Sequence, residues 1–134
     1  MFNNYEKYTL ETAATSLLLI IANSDEKIEL TEINLIKDII SDFFNFKNKD
    51  LEKLIEYCKV EVNESTDLYK FSKVLNNKLN YKDKVDFICC AFEVAYADNK
   101  LHFLEEHFIK KIASTLNVNH IDLIASKKEI QSYL

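Results

Sequence analysis

Residues 95–110 read AYADNKLHFLEEHFIK and residues 22–37 read ANSDEKIELTEINLIK. The two stretches align without gaps, residue 22 falling on residue 95. Ala, Asp, Lys, Glu, Ile and Lys recur at the same places, and Ile28 answers Leu101. In each, an apolar run breaks into charged and polar residues before an amphipathic run begins, which is the pattern of a corner between two helices. A corner used twice predicts a domain built from two helical hairpins of one design.

Helical periodicity extends outward from both corners. Before the first, Leu10, Ala13, Ala14, Leu17, Leu18 and Ile21 follow three-and-four spacing, and after it Ile33, Ile36, Ile40 and Phe43 continue it, predicting helices over about 5–24 and 29–45. A polar corner at 45–50 offers Asn48 or Asp50 as N-cap for a third helix carrying Leu51, Leu54, Ile55 and Cys58. The next break, at 63–67, leads to a fourth helix marked by Leu68, Phe71, Val74, Leu75 and Leu79. A fifth, over about 82–97, is apolar on most of its circumference and is expected to be the central one. Its exceptions, Asp86 and Glu93, share one narrow stripe. The sixth carries Phe103, Leu104, Phe108, Ile109, Ile112 and Leu116 as its apolar set, and a seventh follows His120 with Ile121, Leu123, Ile124, Ile130 and Leu134. The expected architecture is an all-α single-domain bundle of about seven helices spanning residues 1–134.

Composition agrees with that architecture. The chain has 134 residues, 48% of them hydrophobic, with nine Phe and seven Tyr, enough for one packed core. Glycine and proline are both absent. Hairpin turns lean on glycine and loops on proline, so a β-rich chain without either is improbable, whereas helices joined by polar corners can end on Asn, Asp and Ser.

The formal net charge of −5 lacks the basic stripe that phosphate neutralisation demands, which excludes nucleic acid as an obligatory partner. The most apolar stretch, residues 16–22, is much shorter than the roughly 20 residues that cross a bilayer. No direct membrane insertion and a cytoplasmic location are therefore expected. Cys58, Cys89 and Cys90 form no CxxC pair and no even-numbered disulfide framework, and read as small apolar residues in a reducing compartment.

The pattern of an apolar helix, then Ala-Asp-Gly-x-Ile-x-x-x-Glu, then an amphipathic helix, occurring twice, resembles the TerB or tellurite-resistance family of small helical domains. The resemblance runs from Leu10 to about Leu123. It implies an all-helical bundle acting in a bacterial stress-response or defence setting, without enzymatic activity and through protein partners. It also implies a divalent metal ion (Ca, Mg or Mn) at an acidic cluster, which carried onto this sequence is Asp25 and Glu32 from the first corner and Asp98 and Glu105 from the second. Hard cations want several converging oxygens, which two related corners would supply, with Glu29 and Glu93 as possible additions. Where the family has glycine after the aspartate, this chain has Glu26 and Asn99. Asn accepts a left-handed backbone, but Glu there costs about 1 kcal/mol, so the first corner is expected to differ from the second.

The same spacing has a second explanation, a plain interaction or scaffold module whose acids only cap helices. Each glutamate falls at about N3 of the following helix, where it can accept from orphan amides, and each aspartate lies near the same positive helix end. Against capping, the presumed N-cap residues Glu29 and His102 are not strong caps. Sequence spacing leaves both explanations standing.

Other chemistries find less support. The histidines of residues 102–107 are five apart, not the four of HExxH, so a zinc-protease reading fails. There is no Gly-x-Ser-x-Gly elbow, and a chain without glycine has no phosphate-binding glycine loop. His120 reads as a helix-end residue. Glu93, interrupting an apolar helix, is either a buried carboxylate needing a partner or part of a polar stripe with Asp86.

Overall fold

A computed structural model describes residues 8–23, 28–45, 48–64 and 67–134. Among these residues there are seven helices and no strand: α1 (Leu10–Ala22), α2 (Leu30–Phe44), α3 (Asn48–Glu64), α4 (Leu68–Lys78), α5 (Tyr81–Ala95), α6 (Phe103–Thr115) and α7 (His120–Gln131). The break positions match the sequence expectation closely. Asp50 differs from it, lying inside α3 instead of capping it, and Asn48 is the first residue of that helix.

The helix at the centre is α1, and not α5 as its apolar circumference suggested. Every residue of α1 from Thr12 to Ala22 is buried, and it packs against α2, α3, α4, α5 and α6. The physical reason is charge. Between Glu11 and Asn23 the helix carries no ionisable side chain, and its polar residues are the small hydroxyls Thr12, Thr15 and Ser16. By contrast, α5 carries Asp83, Asp86 and Glu93, and a helix with three carboxylates must keep one face in water. Accordingly Phe87, Ile88, Ala91, Phe92, Val94 and Ala95 are buried on its inner face, while Asp86 and Glu93 stand exposed. The small side chains at the start of α1 let other helices approach closely, and the Cys58 thiol of α3 donates to the carbonyl of Thr12 at 3.6 Å.

The chain starts its helices without glycine by using side-chain oxygens as caps. Thr9, Asp67, Asn80 and Asn119 each accept from the amide three residues on, opening α1, α4, α5 and α7. Asparagine takes the left-handed positions that follow α2 and α6 and turn the α5–α6 corner. The described non-glycine residues with positive φ are Asn45 (59°), Asn99 (68°) and Asn117 (60°). At the end of α6 the Asn117 and Val118 amides donate to the carbonyls of Ser114 and Ala113, the pair of bonds of a Schellman motif with asparagine in the left-handed position. Asn is the residue other than glycine that enters this region at least cost, so replacement by a Cβ-bearing residue without its local bonding should show the penalty. Asn99→Ala is expected to lower stability by about 1 kcal/mol and Asn99→Gly to leave it unchanged or slightly raised, as read from urea denaturation midpoints.

The apolar faces expected of α6 and α7 are only partly buried. Phe103 and Leu104 of α6 and Ile121 of α7 are exposed, Phe103 to 82% and Ile121 to 80%. Leu134 is exposed as well, whereas Leu123 and Ile130 are buried as expected.

Candidate functional site

The two corners named by the internal match have one local geometry where both are described. Ile28 and Leu101 are half-buried against the core. Glu29 (φ −78°, ψ 154°) and His102 (φ −81°, ψ 152°) follow as N-caps, and Leu30 and Phe103 then open α2 and α6 as exposed side chains. Two positions further along each helix, at N3, the carboxylates turn back to the chain. The Glu29 amide donates to Glu32 Oε1 at 2.9 Å, and the His102 amide to Glu105 Oε1 at 3.1 Å. Each closes a capping box with its N-cap residue. Burial accompanies that bond, with Glu32 exposed to only 7% and Glu105 to 1%.

Asp25 lies outside the described residues, as does Glu26. Asp98, its counterpart, is an exposed residue of the α5–α6 corner. Its Oδ1 accepts from the Lys100 amide at 3.1 Å, and its Oδ2 lies 3.0 Å from His102 Nε2. Partial desolvation, the strongest single influence, pushes the Asp98 carboxyl up. The hydrogen bonds from the His102 ring and the Lys100 amide, with the His102 charge, together outweigh it and hold the group below its ordinary value. A depressed carboxylate contributes stability above its unfolded range and loses it as pH falls through the lower folded value. The aspartate therefore locks the corner that the left-handed Asn99 turns, and the histidine it grips is the N-cap of α6.

The described members of the implied metal set do not converge. Among the described residues no group of three or more His, Cys, Asp or Glu side chains could hold a metal ion. Glu32 and Glu105 each have an oxygen committed to a main-chain amide, and both oxygens of Asp98 have partners within its own corner. The fit to a four-carboxylate divalent site is poor on these three residues. His107 stacks on Phe103 with ring centroids 6.4 Å apart.

Glu93 belongs to a different feature. It is exposed, so the polar-stripe reading holds and the buried-carboxylate reading does not. Partial desolvation and the charge of Glu129 raise its carboxyl. With Asp83, Asp86 and Cys90 of α5 it faces Leu35, Asp38, Ile39, Asp42 and Phe43 of α2 across a groove of about 570 Å³. The periodicity of α2 contained half of this signal, since Asp38 and Asp42 are one turn apart beside Leu35, Ile39 and Phe43. That α5 lies opposite required the tertiary structure.

No thiol is activated. Burial pushes Cys58 up to about 12; Cys90 also reaches about 12 through burial and then the charges of Glu93, Asp86 and Asp42. Burial raises Cys89 too. A thiolate nucleophile requires the opposite shift. No helix among the described residues is long and apolar enough to cross a membrane.

A seven-helix bundle around a central helix that is uncharged from Thr12 to Ala22, with two glutamate-capped corners, defines a small all-helical module. The family model described as "Tellurite resistance protein TerB" matches residues 11–128, and the chain belongs to that family. Neither the curated proteins nor the solved structures searched gave a match.

Proposed function

We propose that this chain is a non-enzymatic TerB-family module of a bacterial stress-response or defence assembly that works in the cytoplasm by binding a protein partner. In this reading Glu32 and Glu105 serve the fold, as caps, and no ion is needed. The observation that carries it is the capping of both corners: each glutamate is buried, and each is bonded to the amide that starts its helix. A buried carboxylate that satisfies an orphan amide at the positive end of a helix has a complete structural explanation.

The second reading is an ion-dependent module in which Asp25, Glu32, Asp98 and Glu105 take Ca²⁺, Mg²⁺ or Mn²⁺ and the neutralised corners order a partner-binding face. One observation favours it: the Asp98 carboxylate is exposed at its corner, open to an ion from solvent. Titration of metal-free protein with Ca²⁺, Mg²⁺, Mn²⁺ and Zn²⁺, by calorimetry and by thermal melting, separates the two. The capping reading expects no saturable heat and no rise in Tm. Saturable binding that disappears in Asp98→Asn would replace it with the ion-dependent one.

A further inference from the structure

The groove between α2 and α5 has a floor and a rim of different chemistry. Its floor is apolar, formed by Leu35, Ile39, Phe43 and the raised, unionised Cys90. Its rim is five carboxylates, Asp38 and Asp42 on one side and Asp83, Asp86 and Glu93 on the other. No lysine or histidine forms an ion pair with any of the five among the described residues. The ion pairs present lie elsewhere, as in Lys37–Glu52, His102–Asp98 and Lys127–Glu106. Lys84, on α5 itself, is turned away to Asn76 at 2.7 Å. Among the described residues these carboxylates have no ion-pair partner, and Leu35, Phe43 and Cys90 are only half-buried between them, so apolar surface there stays in contact with water.

From this groove we infer the partner's chemistry: a cationic amphipathic helix of another protein, laid between α2 and α5. The inference rests on the partner-binding reading above and names the docking surface. Each lining helix contributes residues at three-and-four spacing, the repeat that accepts the side chains of a third helix. At 1.5 Å per residue, the lining spans roughly 12 Å on α2 and roughly 15 Å on α5, enough for two to three turns of a partner. Leucine-like residues on one face would cover Leu35, Ile39 and Phe43, while lysines or arginines flanking that face would meet the five carboxylates. The same rim repels the phosphates of nucleic acid and the anionic surface of a membrane, so neither is a suitable occupant.

The probe is a synthetic helix of about 14 residues, leucine on one face and lysine elsewhere, titrated into the full-length, isotope-labelled chain. A peptide of identical composition, shuffled so that its leucines share no face, serves as control. Expected are NMR shifts concentrated on residues 35–43 and 83–93, weakening with added salt, and an affinity loss of about tenfold or more in the Asp42→Lys, Asp86→Lys double variant. Both positions are exposed, so the variant should fold. If it does not, Asp38→Lys is the substitute. Absence of binding, equal binding of the shuffled peptide, shifts centred elsewhere, or self-association through these residues would each overturn the inference. Photo-crosslinking in the host cell distinguishes this failure from failure of the broader reading. Protein crosslinks that persist in the double variant remove the groove but leave partner binding standing, whereas a wild-type chain that crosslinks to no protein removes both.

Discussion

Leu17→Ala is expected to lower stability by about 3 kcal/mol, and Val85→Ala by less than about 1 kcal/mol. Leu17 is fully buried in α1, which packs against five other helices, so the cavity left by truncation is walled by elements that cannot all move inward together. Removal of three buried carbons forfeits their transfer energy and adds the energy of the unfilled space. Val85 sits half-buried at the edge of α5, where water or a small helix shift relieves the loss. For a chain of this size the Leu17 variant should melt roughly 10 °C lower. Equal losses in the two variants, measured by urea denaturation, would show that α1 is not the helix on which the others are assembled.

The apolar circumference of α5 points to the centre, but its carboxylates decide against that place. Val85, Cys89, Cys90 and Val94 make α5 apolar in number, but Asp83, Asp86 and Glu93 oblige it to keep a wet face. The run from Thr12 to Ala22 has lower diversity and no such obligation. Corner positions, in contrast, were legible because they follow local rules. Glu29 and His102 became N-caps, Glu32 and Glu105 fell at N3, and Asn99 took the left-handed turn that the missing glycine would have made. Phe103 and Leu104 were less legible. Periodicity assigns apolar residues to a common face, but the first turn of a helix that has just left a corner need not have a neighbour to cover that face. The groove was least legible of all, since Asp38 and Asp42 come from one helix and Asp83, Asp86 and Glu93 from another far along the chain.

Spacing alone also left the purpose of the corner acids open, because a glutamate at N3 can turn back to the main chain or outward to an ion. Glu105 is the residue on which these alternatives diverge most. Glu105→Ala is expected to cost about 2 kcal/mol, since it removes the acceptor of the part-buried His102 amide, removes a charge from the positive end of α6 and leaves its former buried volume empty. Glu105→Gln keeps the shape and a carbonyl oxygen for that amide. It loses only the charge, and so should cost less than about 1 kcal/mol. Both costs should be the same in chelator and in excess Mg²⁺, Ca²⁺ or Mn²⁺, because a capping bond is made within the chain. An ion ligand behaves differently: glutamine is a poor substitute for a carboxylate on a hard cation, so Gln would lose nearly as much as Ala, and only when the ion is present. Denaturant midpoints of the three proteins with and without metal therefore read the role of the carboxylate directly. A large, ion-dependent loss in Glu105→Gln would return the duplicated corner to metal chemistry, and a small, ion-independent one would establish it as a device for starting α6.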